Sequence, residues 1–402
     1  MNILFLSLLN LGDYSDQNIY GDLLKTFRSH GHAVYAVSPC EPGASIGPGL
    51  REFYGIQDLK VATGKLTKCG MIEKGLSLLR LPHQMLAGVQ KSFKGIRFDL
   101  VLYATPPVSL AGIVASMKME SGASTYLMLK DIFPQNAVDI GVLSKTGIKG
   151  LIYRYYRHQE AMLYKVSDYI GCMSQANVDY VLSNYPEVDQ VKVEICANSL
   201  IPAEMAKPCD EDKSAILRSY GIPSEKLVFV YGGNLGRPQG IPFILDCIAA
   251  NERAPKGHML IVGSGTELPT VSDYFSRVRP RHATLIPGLP RDEYEKLARA
   301  CDAGLIFLDS RFTIPNFPSR LLSYLQAGLP VICATDEVCD MGRLAEEKGF
   351  GLRCSSKDAS AFLAAMEDMG RLDRAAMGQR ARSVLEEQFT AEKSYQAIVS
   401  HF

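Results

Sequence analysis

A chain of 402 residues exceeds what one hydrophobic core usually supports, so two or three domains are expected. Its 47% hydrophobic and 21% charged residues exclude a wholly disordered polymer. The 43 basic residues are matched by 43 acidic ones, which leaves no global field for nucleic acid, and the halves differ little: 19 basic against 17 acidic in the first 200 residues, 24 against 26 in the rest.

The chain opens on an apolar stretch, Met1 to Leu9, without a basic flank or a small-residue cleavage site. It reads as a first buried strand rather than a signal peptide. No apolar run approaches the roughly 18–20 residues of a membrane span, and a cytoplasmic location is expected. Further strands are predicted at Ala33–Ser38, Leu100–Ala104, Ser124–Leu129, Tyr169–Met173 and Val191–Ile195. Helical patterns lie between them at Tyr20–His30, Leu110–Glu120 and Leu151–Tyr164. Pro202, Pro208 and the acidic run Asp210, Glu211, Asp212 mark an exposed linker. The scheme then restarts at Leu227–Tyr231 and continues through His258–Val262, Ala283–Ile286, Ala303–Phe307 and Val331–Cys333, with a helical tail holding Leu385 and Phe389. Strands alternating with helices imply parallel sheets, hence an α/β class. The expected architecture is two doubly wound Rossmann-like domains facing each other across a cleft, with ligands at the carboxyl ends of the strands. The boundaries expected are 1–200, 201–385, and a final helix 386–402 packing back on the first domain.

Ten scattered cysteines, the closest pair being Cys333 and Cys339, fit neither a disulfide scaffold nor a C-x-x-C site. They read as reduced and structural. No H-x-x-x-H or D-x-D pattern stands out, so no metal and no other cofactor is expected.

Two segments have the chemistry to hold a phosphate. Phe229–Gly240 reads F-V-Y-G-G-N-L-G-R-P-Q-G, a strand ending in glycines before a helix near Pro242. Glycines let backbone N–H groups approach an anion, and Arg237 adds charge. Gly263-Ser264-Gly265 follows the next strand but lacks the third glycine of a dinucleotide fingerprint. The second segment, Pro315–Pro330, reads P-N-F-P-S-R-L-L-S-Y-L-Q-A-G-L-P. Pro318 and Ser319 form a helix start with a hydroxyl near the free amides. Arg320 then falls in the first turn, where the helix dipole disfavours a cation unless it meets an anion.

In this order the segments resemble the retaining glycosyltransferases of family four, of the glycosyltransferase B fold, and most of all the bacterial branch that builds capsule, O-antigen and exopolysaccharide. The resemblance also takes in Tyr20 to Pro39, Thr105-Pro106-Pro107, Asp131-Ile132-Phe133-Pro134 and Gly288-Leu289-Pro290. It implies transfer of a sugar from a nucleotide-diphosphate donor, UDP-linked by preference, to a saccharide or a polyprenyl-diphosphate-linked acceptor. The donor residues it implies are Gly233, Asn234, Gln239, Gly263, Ser264, Gly265, Gly288, Leu289, Phe317, Pro318, Ser319 and Ser323. For the acceptor it implies Gly12, Tyr20, Pro106 and Pro107, and for catalysis Asp131, Arg237 and Arg320. The chain departs from the family pattern at Pro315 and Ser323, where many members carry a pair of glutamates, and at Asn234 and Gln239, where many carry Arg and Lys. Arg237, Arg320 and helix-terminal amides are expected to neutralise the diphosphate instead, so that electrostatic preorganisation dominates catalysis.

Asp131, just after a strand, is the side chain suited to orient a hydroxyl; the alternative is an N-cap for the next segment. From Lys60 to Arg97 eight basic residues face one acid, with leucines, Met85, Val89 and Phe93 interleaved, and Tyr153 to Arg157 is aromatic and basic. Such stretches suit an anionic membrane surface, although the apolar residues equally suit a core-facing helix stripe. A non-catalytic scaffold and a sugar-nucleotide epimerase of the same fold are the alternatives to a transferase.

Overall fold

The computed structural model describes residues 1–66, 70–106, 108–204 and 208–402. They form two compact units, Met1–Ile201 with Thr390–Phe402, and Pro202–Phe389.

The first unit is built on eight strands, β1 (Asn2–Leu6), β2 (Ala33–Cys40), β3 (Gly49–Phe53), β4 (Ile56–Ala62), β5 (Leu100–Ala104), β6 (Ser124–Leu129), β7 (Tyr169–Cys172) and β8 (Val193–Ile195). Their order is β3-β4-β2-β1-β5-β6-β7-β8, parallel except for the β3–β4 pair. Helices α1 (Ile19–Ser29), α2 (Met71–Ser92), α3 (Ala111–Ser121), α4 (Gln135–Asp139), α5 (Gly147–Val166) and α6 (Gln175–Asn184) connect them. β1 and β5 are buried along nearly their whole length, as strands covered on both faces require. The chain order reverses between β1 and β5, so the topological switch point opens there at the carboxyl ends.

The second unit repeats the plan with β9 (Val228–Asn234), β10 (His258–Ser264), β11 (Ala283–Ile286), β12 (Ala303–Phe307), β13 (Val331–Thr335) and β14 (Gly351–Ser355) in the order β11-β10-β9-β12-β13-β14. Its switch point lies between β9 and β12. The helices are α7 (Asp210–Ser219), α8 (Ile241–Arg253), α9 (Leu268–Val278), α10 (Arg291–Arg299), α11 (Arg320–Gln326), α12 (Met341–Glu347), α13 (Ala359–Arg371) and α14 (Arg374–Gln388). The final helix α15 (Ala391–Val399) belongs to the first unit, where Tyr395 meets the Phe27 ring edge-on at 5.0 Å and Ser394 Oγ lies 2.7 Å from Ser199 Oγ.

Four sequence expectations need correction. The acidic run Asp210, Glu211, Asp212 is not linker but the first turn of α7, where carboxylates face the positive end of the helix dipole. The segment returning to the first unit begins at Thr390 rather than 386, because α14 is one continuous helix to Gln388. Strands β3, β4 and β14 were not expected at all. Lys60, read as part of a basic surface, sits on β4 at 1% exposure in an ion pair 2.7 Å from Asp58. On α2 the residues Leu81, Met85 and Val89 are buried, as is Phe93 just beyond it, so much of that stretch's apolar content serves the core. Lys68 lies outside the described residues. Among the described residues no helix is long and apolar enough to cross a membrane.

Candidate active site

In the second unit, three loops gather at the carboxyl ends of β9, β10 and β12. Gly263 allows the first two to touch: a Cβ there would stand 2.1 Å from the Gly233 carbonyl oxygen. One on Gly265 would stand 2.3 Å from the Leu235 carbonyl oxygen. The Leu235 N–H donates to the Ser264 carbonyl at 2.8 Å, and the Glu267 N–H donates to the Leu235 carbonyl at 2.9 Å. On the other side the Asp309 N–H donates to the Pro238 carbonyl at 2.9 Å, closing the turn across the switch point. Ser264 and Gly265 remain exposed at this rim.

Arg320 reaches this rim from α11. Its guanidinium lies over the Tyr231 ring, 4.0 Å from the centroid, and Nη2 donates to the Tyr231 hydroxyl at 2.8 Å. Nε donates to the Gly232 carbonyl oxygen. Nη1 is buried with no hydrogen-bond partner among the described residues. The expected conflict with the helix dipole is thus largely answered inside the protein, by a ring face and a strand-end carbonyl. Gly233 is the neighbouring residue: a Cβ there would stand 2.9 Å from Arg320 Nη2.

The other donor-side residues divide. Arg237 is exposed and lies 3.5 Å from Glu267, a surface pair worth little and open to exchange. Asn234 Nδ2 donates to Gln239 Oε1 at 3.5 Å, and that oxygen also accepts from the Gly236 N–H at 3.1 Å. The two positions where the resembled family carries cations therefore form a neutral clasp across the loop. Gly288 and Leu289 follow β11 on the same edge of the sheet. Ser319 does not cap: its φ of −62° and ψ of −15° are already helical, whereas an N-cap serine needs extended backbone to aim its oxygen at the following amides. Its side chain is exposed, following the half-exposed Pro318. The Phe317 ring is buried against Phe389 at 5.9 Å between centroids, so it offers no exposed face to a donor. Pro315 is buried and Ser323 half-buried.

In the first unit the rim carries a buried acid, Asp131. Thr105 Oγ1, after β5, accepts from the N–H groups of Lys130 (3.0 Å) and Asp131 (3.2 Å) and donates to the Asp131 carbonyl at 3.1 Å. This fixes the β6 end against the switch point. Asp131 Oδ1 accepts from Asn136 Nδ2 at 2.6 Å. Burial pushes the Asp131 carboxyl up to about 6, against the downward pull of Asn136 and the Ile132 N–H. Asp131 is not an N-cap, since α4 begins after Pro134. Tyr20 is buried with its phenol pushed up, first by burial and then by the charge of Asp131. Gly12 lies in the loop after β1, its N–H donating to Asn10 Oδ1 at 3.0 Å. Pro106 is exposed beside Thr105, and Pro107 lies outside the described residues.

Sequence reasoning missed Glu160, on α5. It is buried and accepts from Arg157 Nη1 at 2.7 Å, from the Tyr164 hydroxyl at 3.0 Å and from the Tyr185 hydroxyl. Burial raises its carboxyl to about 7; Arg157 and Tyr164 pull it down, and the charge of Asp131 pushes it up. The available signal was a lone acid ending an acid-free run from Ile140 to Gln159. Tyr231 and Tyr324 were also missed as partners of the arginine site. The Tyr324 hydroxyl donates to the Val230 carbonyl at 2.9 Å and accepts from the Gly232 N–H at 3.2 Å.

Two doubly wound α/β units, each with its polar groups at the carboxyl rim of a switch point, define the glycosyltransferase B fold. Solved structures agree over the whole chain. Sucrose-phosphate synthase of Thermosynechococcus elongatus matches with a TM-score of 0.77 at 15% identity, covering 100% of this chain and 98% of that one. HepE of Anabaena, in complex with UDP, matches with a TM-score of 0.69 at 14% identity, covering 100% and 99%. In sequence, the probable glycosyltransferase WbjE of Pseudomonas aeruginosa is 25% identical over 327 residues, 80% of this chain and 78% of that protein. Residues 212–384 match the family described as glycosyl transferases group 1. The chain is a glycosyltransferase, and its residues 212–384 carry the match to that family.

Proposed function

We propose that this glycosyltransferase moves a sugar from a nucleotide-diphosphate donor, with uridine as the base, to a saccharide or polyprenyl-diphosphate-linked acceptor in cell-surface polysaccharide synthesis. The anomeric configuration is retained. The observation that carries the reading is Arg320, a guanidinium fixed at the β9 rim beside Gly233, whose buried Nη1 has no partner among the described residues. A diphosphate oxygen supplies the missing acceptor, and a guanidinium fork suits that group. The HepE complex with UDP supports a uridine donor.

As the bond to the leaving diphosphate breaks, negative charge builds on the phosphate oxygens. Arg320 and the N–H groups of the glycine loop stabilise it without reorganising, and Arg237 contributes once it leaves Glu267. The leaving phosphate takes the acceptor proton on the same face of the sugar, while Asp131 orients the attacking hydroxyl. No metal takes part, and the enzyme works at the cytoplasmic membrane surface.

A thermal-shift series across nucleoside diphosphates tests the donor. A specific nucleotide at a hundredfold excess over Kd stabilises the fold by about 2.7 kcal/mol. Donor consumption must then depend on acceptor, and the product must keep the donor's anomeric configuration by NMR. If no nucleoside diphosphate raises the melting temperature the donor reading falls, and an inverted product removes retention alone. Conversion of free donor into another sugar would point to an epimerase.

A further inference from the structure

Helix α5 turns an uncovered apolar stripe to solvent. Its inner side is buried through Gly150, Glu160, Leu163 and Tyr164. Its outer side carries Ile148, Leu151, Ile152 and Tyr155, at the i, i+3, i+4, i+7 spacing of one helix face. All four are exposed, Ile148 at 82% and Leu151 at 61%. Single exposed apolar residues are ordinary, but four on two adjacent turns make a contiguous patch. Along this stretch of chain the charge has one sign. From Ile140 to Gln159 the sequence holds Lys145, Lys149, Arg154 and Arg157 and no acid. The first three are exposed, and Arg157 pairs with Glu160.

The position in the fold is informative. α5 ends at Val166, just before β7 begins at Tyr169, and β6 and β7 are parallel. The helix therefore runs back against the strands, and its first two turns stand at the carboxyl rim of the sheet, the rim that carries Asp131. The opposite, amino-end rim of the sheet lies beside the end of α2, with Lys91 in its last turn and Lys94 two residues beyond it.

We infer that the stripe Ile148, Leu151, Ile152 and Tyr155, with Lys145, Lys149 and Arg154 around it, docks on the headgroup region of an anionic lipid bilayer. Aliphatic side chains with a tyrosine among cations fit an interfacial helix face, and the absence of acids makes the patch complementary to anionic headgroups. The inference deepens the proposed function, resting on it for the purpose of the contact: a lipid-linked acceptor would be met at the rim that orients it. The surface itself follows from α5 alone.

The test is sedimentation of the full chain with vesicles of phosphatidylcholine and phosphatidylglycerol, against phosphatidylcholine alone, at low salt. The wild type is expected to bind the mixed vesicles and to be released by salt. The variant Lys145→Gln/Lys149→Gln/Arg154→Gln loses on the order of a hundredfold in partitioning, from a several-fold loss per cation. Ile148→Ser/Leu151→Ser loses at least as much binding with an unchanged melting temperature, since both residues are exposed. Lys91→Gln/Lys94→Gln binds like the wild type. Nucleoside-diphosphate binding by all three variants matches the wild type, which keeps this test separate from that of the donor. The inference is overturned if the wild type ignores anionic vesicles, or if the Lys91/Lys94 variant rather than the α5 variants loses binding. It is equally overturned if sedimentation equilibrium shows a self-association that Ile148→Ser/Leu151→Ser abolishes without vesicle binding; the stripe is then an interface between copies.

Discussion

At the carboxyl rim of the second sheet the fixed charge is a guanidinium, Arg320, laid on a phenol ring beside a loop of glycines. At the same rim of the first sheet the fixed acid is Asp131, whose carboxyl burial pushes up to about 6, while Glu160, buried further along α5, is raised to about 7. Both rims come from one topological device, a reversal of strand order, yet the second carries a fixed guanidinium and the first a buried carboxyl. The fold provides the crevice twice, and the side chains decide what each crevice does. Charge away from the rims has a third use, seen in the Asp58–Lys60 pair inside the first sheet.

That distinction is broken most severely at Lys60. Lys60→Met leaves Asp58 buried without its counter-charge, and a loss of about 3–5 kcal/mol is expected in urea unfolding. Adding Asp58→Leu restores most of it, because an apolar pair replaces a buried ionic one. If Lys60→Met leaves stability intact and changes only vesicle binding, the surface reading of this lysine was right and the buried pair is not structural.

The glycine contact at the second rim ranks next. In Gly263→Ala the new methyl meets the Gly233 carbonyl oxygen, a backbone atom that cannot swing aside. A loss of about 1–3 kcal/mol is expected, together with weakened nucleotide binding as the loop shifts. Unchanged calorimetric melting and affinity would mean that the two loops do not meet as described.

The first rim is sharpened by pH. With its carboxyl raised to about 6, Asp131 is ionised only above that pH, so kcat/KM is expected to fall as pH drops through 6. Asp131→Asn lowers the rate by about two orders of magnitude and flattens that limb. The stability effect has the opposite sense. A raised carboxyl binds more protons folded than unfolded, so its contribution is present below pH 4 and is lost as pH rises through 6. Asp131→Asn therefore melts higher than the wild type at neutral pH. A pH–rate profile with the same acidic limb in wild type and variant would remove Asp131 from the reaction.

Much of this was legible in the sequence, for identifiable reasons. Strands covered on both faces are continuous aliphatic runs, so β1, β5, β9 and β12 announce themselves. β3 was missed because it is antiparallel, short and mostly exposed, and β4 because Asp58 and Lys60 interrupt its pattern while neutralising each other inside the sheet. β14 alternates buried with exposed positions over only five residues. Among the site residues, the glycines and Arg320 were visible as motif positions. The fit of Arg320 to Tyr231 was not, since the two lie 89 residues apart and meet only after β9 and α11 are packed. For Phe317, a phenylalanine beside a motif looks the same in sequence whether it faces ligand or core, and only packing places its ring against Phe389. Glu160 owes its role to burial, which sequence shows only as one acid among cations.

Isothermal titration of UDP into the wild type and into Arg320→Ala tests the central claim, that the second rim binds a diphosphate through this guanidinium. Loss of charge-assisted hydrogen bonds worth about 1.5–3 kcal/mol weakens affinity roughly ten- to a hundredfold. Arg320→Lys recovers only part, because an ammonium restores charge without the fork. Wild-type affinity in Arg320→Ala, in a protein that melts as the wild type does, would contradict the account and reduce Arg320 to a structural contact of Tyr231.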